Sequence, residues 1–315
     1  MTATLDAPQQ PGSLKSSSGV SKLGDKIFGG VSKGAGILIL VVLAAVAAFL
    51  IAQAIPTFTG ETDKPFPQYV GPLIFGTIWS AFLALVIATP LAVAVALFTS
   101  HYAPRRLAAP LGWFIDLLAA VPSVVYGLWG SGVFAPVLAR SVYPWLEDNL
   151  GFIPLFKGPA STSGRTMMTV ALVLAVMILP IITAISREVF LQTPRLHEEA
   201  SLALGATRWE MIRQSVLPYG RSGVISGAML GLGRALGETM AVAIILSPAN
   251  IITFNTISNQ NPNTIAANIA LKFPESAGIN VNRLIATGLV LFVLTFFVNA
   301  IARRIARAGF SGAEG

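Results

Sequence analysis

Apolar and polar stretches alternate along this chain, and six apolar stretches are long enough to form helices that cross a membrane. They lie at residues 35–55, 71–98, 107–127, 167–185, 220–246 and 284–301. About 20 mostly apolar residues span the hydrocarbon core of a bilayer as a helix. The pattern therefore predicts an all-α integral membrane protein with six transmembrane helices.

The polar stretches predict how the chain is divided. Residues 1–34 are rich in Ser, Gly, Pro and Lys and lack apolar periodicity, which predicts a disordered tail. Residues 35–70 are predicted to form the first span and a loop, and residues 71–304 a core that holds the other five spans. Residues 305–315 would form a C-terminal tail.

Two long polar stretches interrupt the core. Residues 140–165 are rich in proline and residues 247–280 in asparagine and proline, so both are predicted to be loops. Within the second loop, residues 263–272 have the pattern of a short amphipathic helix. Pro122 lies inside the third span and is expected to kink it, because proline removes one backbone hydrogen bond.

A third polar segment, residues 194–218, joins the fourth and fifth spans. It begins after a Thr-Pro step that is typical of a helix start, and Gly205 is a typical helix stop. Thr207 and Glu210 then have the spacing of a capping box, and Pro218 is expected to close the segment. The sequence therefore predicts two short helices separated by a glycine.

Composition agrees with a membrane protein, and the charges predict its orientation. The chain is 54% hydrophobic and only 11% charged, against about 25% charged in soluble proteins. With the N-terminus in the cytoplasm, fourteen of the 21 Lys and Arg residues fall on inside segments and six on outside loops. Both termini and residues 194–218 are therefore predicted to be cytoplasmic. This distribution explains the net charge of +7 without a nucleic-acid partner.

Three ionisable residues fall inside predicted spans: Asp116, Arg234 and Glu238. A charge at the bilayer centre costs about 2.5 to 3.5 kcal/mol on insertion scales, so such groups are expected to face protein or water. Arg234 and Glu238 are four residues apart, which would place them on one helical face as an ion pair. Asp116 lies nearer the cytoplasmic end and is predicted to be structural, solvated or hydrogen-bonded at the membrane rim.

Three glycines at four-residue spacing, Gly223, Gly227 and Gly231, are predicted on the same face as the ion pair. Small residues at this spacing let a second helix backbone come close. Two interpretations of Arg234 and Glu238 stay open from the pattern alone: a structural ion pair that locks the bundle, or part of a polar pathway.

The sequence lacks motifs of several other functional classes. It has no phosphate-binding P-loop, and its glycines miss the dinucleotide-binding spacing inside an apolar helix. It has no cysteine, and His101 and His197 are far apart without a ligand set, so no metal site is expected. No nucleophile stands with a convincing base, so an enzyme is not expected.

Residues 194–218 have three possible roles. A glycine-linked helix pair can read DNA, but here membrane spans hold both ends. Amphipathic helices can also lie on lipid headgroups, which fits the apolar residues of the second helix but not the glycine break. A docking element for a cytoplasmic partner fits best.

This segment resembles the EAA loop of ABC-importer permeases, a pattern of Glu-Ala-Ala, three residues, Gly, nine residues, and Ile-x-Leu-Pro. The matching positions are Glu199, Ala200, Ser201, Gly205, Ser215, Leu217 and Pro218. Ser201 stands where the pattern has its second alanine, and Ser215 stands where it has isoleucine. The spacing from the glycine to Leu-Pro is kept.

Two further stretches are similar to the membrane subunits of bacterial phosphate importers. They are GRALGETMA at residues 233–241 and VPSVVYGLWG at residues 121–130. The chain looks more like the PstC type of these subunits than the PstA type. The resemblance covers roughly residues 71–304 and leaves the N-terminal tail outside.

The resemblance implies a type I ABC-importer permease fold with a cytoplasmic coupling helix, in a bacterial inner membrane. It implies a complex with a second, PstA-like permease, two PstB-like ATPases that bind the ATP, and an external PstS-like phosphate-binding protein; the chain itself would hold no cofactor. Arg234 and Glu238 would serve the substrate pathway. The residues that would couple the chain to the ATPase are Glu198, Glu199, Ala200, Gly205, Leu217 and Pro218.

Other transport functions stay open on the sequence alone. One is a permease for sulfate, molybdate or an organic solute within the same class of importer. Another is a secondary transporter or a channel, but neither needs a docking helix, and secondary transporters often contain inverted repeats.

Overall fold

The protein is described here by a computed structural model, which covers residues 22–59 and 65–308 and is mostly helical. The α-helices are α1 (Lys22–Thr59), α2 (Phe66–Leu97), α3 (Arg105–Ala119), α4 (Ser123–Leu150), α5 (Met167–Leu191), α6 (Arg195–Ala203), α7 (Arg208–Met211), α8 (Leu217–Leu236), α9 (Met240–Ile245), α10 (Ile265–Lys272) and α11 (Ile279–Ala308). Two-residue strands β1 (Pro248–Ala249) and β2 (Asn261–Pro262) pair in parallel.

Short helical turns of other types complete the secondary structure. π-Helical turns follow α2 at Phe98–Tyr102 and join α7 to α8 at Ile212–Val216. Two more interrupt α4, at Gly130–Phe134 and Leu138–Val142. 3₁₀ turns lie at Pro154–Phe156 and Phe273–Glu275. The chain divides into two units, residues 1–49 and residues 50–315.

Helix α1 begins earlier and ends later than the sequence pattern predicts. It starts at Lys22, so the predicted disorder of residues 22–34 is wrong, while residues 1–21 lie outside the described part. No proline interrupts residues 22–55, and a helix nucleated by the apolar span propagates at low cost. It also continues through Pro56 to Thr59, and α2 starts at Phe66, which leaves only a short connection.

The third predicted span is broken rather than kinked. Helix α3 ends at Ala119 and α4 starts at Ser123, and the two helices are bent by 89°. Pro122 forms the N-cap of α4, because it has no amide to donate to the preceding turn. Helix α4 then continues to Leu150, so the predicted loop at residues 140–165 is helical in its first part.

In the described part of the chain, four helices are long and apolar enough to cross a membrane: α1, α2, α5 and α11. The bent pair of α3 and α4 raises the number to five if it counts as one span. The predicted fifth span, residues 220–246, does not qualify, because α8 is rich in glycine, carries two arginines and ends at Leu236. Six spans therefore stay a prediction.

Helix α5 lies at the centre of the core. On one side it packs against a row of fully buried alanines of α2: Ala81, Ala84, Ala88 and Ala92. On the other side it packs against the glycine row of α8, where a Cβ on Gly231 would lie 3.1 Å from Ile182 Cδ1. Small residues on both neighbours let the three backbones approach closely. The predicted close packing at the glycines is confirmed.

The predicted external loop at residues 247–280 is packed inside the protein in its middle part. Residues 256–258 and 261–268 are buried, and the predicted helix is present as α10. The amide of Ile265 donates to Thr77 Oγ1 of α2 at 2.9 Å, and the carbonyl of Asn263 lies against Gly76. Hydrogen bonds of this kind satisfy the polar groups of the loop without water, so the loop can be buried. A hydrophobicity pattern does not show these hydrogen bonds, and it therefore does not predict the burial.

Candidate functional site

Residues 194–218 form the two helices predicted from the sequence. Helix α6 ends just before Gly205, whose φ of +87° lies in the left-handed region. The capping box at α7 is present: the Thr207 amide donates to Glu210 Oε2 at 2.8 Å, and the Glu210 amide donates to Thr207 Oγ1 at 3.3 Å. The Thr207 amide and the Thr207 hydroxyl both donate to Glu210 Oε2 at 2.8 Å, and these two hydrogen bonds lower the pKa of the Glu210 carboxyl below its ordinary value.

The two serines that depart from the EAA pattern contact each other. Ser201 Oγ lies 2.8 Å from Ser215 Oγ, and the His197 carbonyl lies 3.0 and 3.3 Å from the two hydroxyls. Each hydroxyl has one proton, so one serine donates to the other and the second donates to the His197 carbonyl. The contact joins α6 to the π-turn that follows α7. It therefore holds the two helices of the segment together across the glycine.

A contact between His101 and Glu198, which is a salt bridge when the imidazole is protonated, links α6 to the π-turn that follows α2. His101 Nε2 lies 3.5 Å from Glu198 Oε1, and His101 Nδ1 lies 2.7 Å from Ser100 Oγ. The His101 side chain is 9% exposed and that of Glu198 is 24% exposed. This contact was missed from the sequence, because the two residues are almost a hundred positions apart.

The outer face of the segment is exposed and partly apolar. Glu199 and Ala200 are exposed, and Leu196 and Leu204 are 78% and 90% exposed. Trp209 on α7 is 55% exposed. Large apolar side chains grouped with a carboxylate on an exposed face are typical of a surface that binds another protein.

Leu217 and Pro218 have a different environment from Glu199 and Ala200. Leu217 is half-buried and packs with Phe190, Ile212 and other members of a buried cluster, whereas Pro218 is exposed. Pro218 was expected to close the segment, and this is wrong, because it lies in the first turn of α8. The Leu217 amide donates to the Ile212 carbonyl, five residues back, and the helix continues past the proline.

As a result, one continuous helical path runs from α7 to the end of α8, over residues 208–236. Arg234 lies in its last turn and is exposed. Glu238 follows the helix end and is 8% exposed. The polar segment therefore runs directly into the helix that carries Arg234, whereas Glu238 lies beyond the end of that helix.

The predicted ion pair between Arg234 and Glu238 is wrong for this conformation. Within residues 22–59 and 65–308, the ion pair closer than 4.0 Å is the one between His101 and Glu198. Helix α8 ends at Leu236, so the four-residue spacing does not place the two side chains on one helical face. Instead, Glu238 Oε1 accepts a hydrogen bond from the Ala241 amide at 3.0 Å and caps α9.

Arg234 also lies on a different face from the glycines. Gly223, Gly227 and Gly231 are buried against α5, and Ala235 occupies the next position of that row. Successive residues of an α-helix are rotated by about 100°, since 3.6 residues make one turn. Arg234 is therefore turned away from the row and reaches the surface of this chain. Asp116, on α3, is also exposed.

Helix α9 is held at both ends by charged side chains. Glu238 caps its N-terminus, and the Arg165 guanidinium donates to the carbonyls of Ile244 and Ile245, each at 3.3 Å. An acid at the start and a base at the end both stabilise the helix dipole. Arg165 was missed from the sequence, because no local pattern connects it to a helix 75 residues later.

The two stretches that resemble phosphate-importer subunits pack against each other. A Cβ on Gly127 of α4 would lie 3.0 Å from the Cα of Ala241 on α9, so the two short helices are in close contact. The Tyr126 hydroxyl donates to the Leu118 carbonyl across the break between α3 and α4, at 2.9 Å. Arg234 belongs to the second of these stretches and lies in the last turn of α8, just before α9 begins at Met240. Two broken helices and Arg234 therefore meet at one place.

No group of three or more His, Asp or Glu residues in the described part of the chain could hold a metal ion. The charged groups at the broken helices are two arginines, Arg165 and Arg234, and the Glu238 carboxylate that caps α9. Of the three, only the Arg234 side chain makes no hydrogen bond to the described residues of the protein. Arg234 can therefore contact an anion, because a guanidinium group binds oxyanions with paired N–H donors.

Comparisons with known proteins agree with these features. The family described as "Binding-protein-dependent transport system inner membrane component" matches residues 88–308. The "Phosphate transport system permease protein PstC 2" of Mycobacterium tuberculosis is 45% identical over 93% of this chain and 94% of its own length. The "Phosphate transport system permease protein PstC" of Mesorhizobium japonicum is 41% identical over 89% of both chains.

Solved structures share the fold at low sequence identity. A chain of the inward-facing MetNI methionine ABC transporter aligns with a TM-score of 0.56 at 16% identity, over 79% of this chain and 99% of that chain. A chain of a bacterial ABC transporter that imports the acidic polysaccharide alginate also aligns with a TM-score of 0.56, at 15% identity, over 90% and 99%. These likenesses show the fold of an ABC-importer permease.

Proposed function

Because the chain belongs to the family of binding-protein-dependent transport system inner-membrane components, we propose that it is a permease subunit of an ATP-driven phosphate importer. Members of this family work with an ATPase and a binding protein. The observation that supports the choice of phosphate is that the stretches 121–130 and 233–241, which resemble phosphate-importer subunits, contact each other at the end of the helix that carries Arg234. Relatives named for phosphate transport align with nearly the whole chain.

Arg234 is the proposed contact for the transported ion. Its side chain is exposed in this single chain, so it is available to a pathway formed with a second permease. A guanidinium group stays charged and presents paired N–H donors, which match the oxygens of phosphate. Glu238 is proposed to act on the pathway indirectly, by capping α9 and so fixing the break beside Arg234.

The segment 194–218 is the proposed docking element for the ATPase. Glu199, Ala200, Leu196 and Leu204 supply an exposed face, and Gly205 sets the angle between its two helices. Movement of this segment would reach Arg234 through the continuous helical path of residues 208–236. Glu198, Leu217 and Pro218 are proposed to anchor the segment to the membrane helices rather than to contact the ATPase directly.

The finer composition of the complex also belongs to this proposal. It has a second, PstA-like permease, two PstB-like ATPase subunits that bind the ATP, and a PstS-like binding protein on the outside. The charge distribution favours a cytoplasmic location for both termini and for residues 194–218. No cofactor and no nucleic acid is assigned to this chain.

Uptake by the reconstituted complex tests the proposal. Vesicles that hold the complex and its cognate binding protein are given radiolabelled phosphate, with sulfate, molybdate or arsenate as competitors. We expect phosphate and its close analogue arsenate to compete, while sulfate and molybdate do not. Absence of ATP-dependent phosphate uptake, together with ATP-dependent uptake of radiolabelled sulfate or molybdate by the same vesicles, would assign another oxyanion.

Replacement of Arg234 tests the residue itself. Arg234→Ala is expected to abolish phosphate uptake while the complex stays assembled and hydrolyses ATP. Arg221→Ala is the matched control, since Arg221 is an exposed arginine near the other end of the same helix. If Arg234→Ala dissociates the complex, the arginine is structural and the proposed contact with the ion is wrong.

A further inference from the structure

A polar cavity of about 320 Å³ opens far from Arg234 in the sequence, between the start of α2, the end of α10 and the start of α11. Its lining includes Tyr69, Asn250, Asn263, Asn268, Lys272 and Arg283. A second cavity of about 340 Å³ shares Tyr69, Lys272 and Arg283 with the first. These volumes lie near the lower end of the range for small-ligand sites, about 300 to 1,000 Å³.

Tyr69 organises the residues between the two cavities. The Lys272 Nζ lies 4.9 Å from the centre of the Tyr69 ring, and the Arg283 Cζ lies 4.0 Å from it. The Asn268 side-chain amide donates to the Tyr69 hydroxyl at 2.7 Å. Asn268 and Arg283 are 2% and 8% exposed. Two cationic groups therefore lie over one half-buried aromatic ring, whose hydroxyl is held by the buried Asn268.

The polar groups at the cavity wall are mainly donors and positive charges. Asn263 Oδ1 accepts from the Thr264 amide at 2.9 Å, which leaves its NH₂ group as the side chain's donor. Asn280, in the first turn of the long helix α11, lines the second cavity, and the start of a helix adds positive potential. Among the residues that the structure describes, Glu275 is the one carboxylate in the lining of these two cavities.

Lys272 is the accessible cation of this group. Its residue is exposed, and within the described residues 22–59 and 65–308 no carboxylate oxygen lies within 4.0 Å of its Nζ. An ammonium group that is held over an aromatic ring, rather than neutralised by a carboxylate, keeps its charge for a ligand. A cation, a buried guanidinium and amide donors around one cavity suit a small oxyanion.

We propose that this cavity is a second anion subsite, which binds a tetrahedral oxyanion through Lys272, Arg283 and the asparagine side chains. The identification of the ion as inorganic phosphate rests on the proposed function. The charge distribution places the cavity on the side opposite to residues 194–218, where the ion would arrive from the binding protein. A lipid phosphate group has the same chemistry as the free ion and is the alternative source.

Equilibrium binding of radiolabelled phosphate tests the subsite. The purified complete transporter, without its binding protein, is placed in nanodiscs of zwitterionic lipid at low salt. Lys272→Gln is expected to weaken one class of phosphate binding about tenfold, since a hydrogen bond to a charged group contributes about 1.5 to 3 kcal/mol. Lys272→Arg, which keeps the charge, should stay within about threefold of the unchanged protein.

Lys157→Gln is the matched control, because Lys157 is an exposed lysine on the same predicted side and lies in neither cavity. Its phosphate affinity should equal that of the unchanged protein. Phosphate binding that Lys272→Gln leaves unaltered overturns the proposal. If Lys272→Gln slows association of the binding protein but leaves the phosphate affinity unchanged, the region is a surface that docks the binding protein. That result also overturns the proposal.

Two further binding experiments identify the bound ion and show whether it is free in solution or part of a lipid headgroup. Nanodiscs that contain phosphatidylglycerol should leave free phosphate binding intact if the free ion is the ligand, whereas loss of binding identifies the lipid headgroup as the bound oxyanion. Sulfate is tested in parallel. If the transported ion is not phosphate, sulfate binding that depends on Lys272 still supports the subsite while the proposed function fails.

Discussion

Ser201 Oγ lies 2.8 Å from Ser215 Oγ, so the two positions at which this chain departs from the EAA pattern form one hydrogen-bonded pair. Each serine by itself looks like a weakened match to the pattern. Together they replace an apolar contact by a polar one between the same two elements, α6 and the π-turn after α7. The departures are therefore coupled, and the geometry of the docking segment is kept.

A double-mutant cycle measures this coupling. Ser201→Ala and Ser215→Ile each remove one hydroxyl of the pair, and each is expected to lower the thermal midpoint of the purified complex. The double variant restores the residues of the EAA pattern and should lose less than the sum of the two single losses, by about 0.5 to 1.5 kcal/mol. Additive losses would show that the two serines are independent.

Gly205 is required for its backbone conformation rather than for space. A Cβ at this position would meet no atom within 4 Å, but its φ of +87° is unfavourable for other residues by about 1 to 2 kcal/mol. Gly205→Val is therefore expected to change the angle between α6 and α7, to reduce copurification of the ATPase, and to uncouple ATP hydrolysis from uptake.

Two comparison variants separate backbone strain from other effects at Gly205. Gly205→Asn should be milder, since asparagine tolerates the left-handed region better than valine does. Gly71→Ala should leave coupling unchanged, because a Cβ there meets nothing within 4 Å and its φ is negative. Unchanged copurification and coupling in Gly205→Val would contradict the role of this glycine.

Local sequence signals predicted the parts of the fold that local chemistry determines. The capping box of Thr207 and Glu210, the stop at Gly205 and the glycine row of α8 each depend on residues within a few positions of one another. The spans α2, α5 and α11 follow from their apolar length. All of these are present in the structure.

Tertiary contacts determine the parts that the sequence did not predict. The Gly-Glu-Thr step at residues 237–239 lies in an apolar run, and the break there is held by Glu238 at one end of α9 and by Arg165 at the other. Loop residues 256–268 looked polar, but contacts with α2 and with the start of α5 satisfy their polar groups. Hydropathy and spacing carry no information about partners so far apart in sequence.

The close packing at the glycine row of α8 leads to a prediction about the stability of the complex, which a second substitution can check. A Cβ on Gly223 would lie 2.6 Å from Val189 Cβ, so Gly223→Ala is expected to cost about 1 to 3 kcal/mol through overpacking. Gly227→Ala should cost less, because its nearest new contact is 3.3 Å, to Ile185 Cβ. The measurement is the thermal midpoint of the purified complex.

Adding Val189→Gly to Gly223→Ala removes the Cβ and both methyl groups of Val189, and so opens the space that the new methyl group needs. The double variant should recover part of the thermal midpoint lost by Gly223→Ala alone, although a glycine inside a helix costs about 1 kcal/mol. If the second substitution makes the loss larger, the close approach of α8 and α5 at this point is not the cause of the destabilisation.

Substitutions of Glu238 distinguish a role as the cap of α9 from a role as the ion-pair partner of Arg234. Its Oε1 accepts from the Ala241 amide at 3.0 Å, and a glutamine at this position keeps a carbonyl oxygen that can do the same. Glu238→Gln should therefore keep most phosphate uptake. Glu238→Ala removes the cap at a cost of about 1 kcal/mol, and uptake should fall by about fivefold as the break beside Arg234 loosens.

Asp148→Asn, an exposed acid-to-amide change outside the site, is the control. Equal loss of uptake in the Gln and Ala variants would mean that the negative charge acts on Arg234 directly, in a conformation other than the one described here.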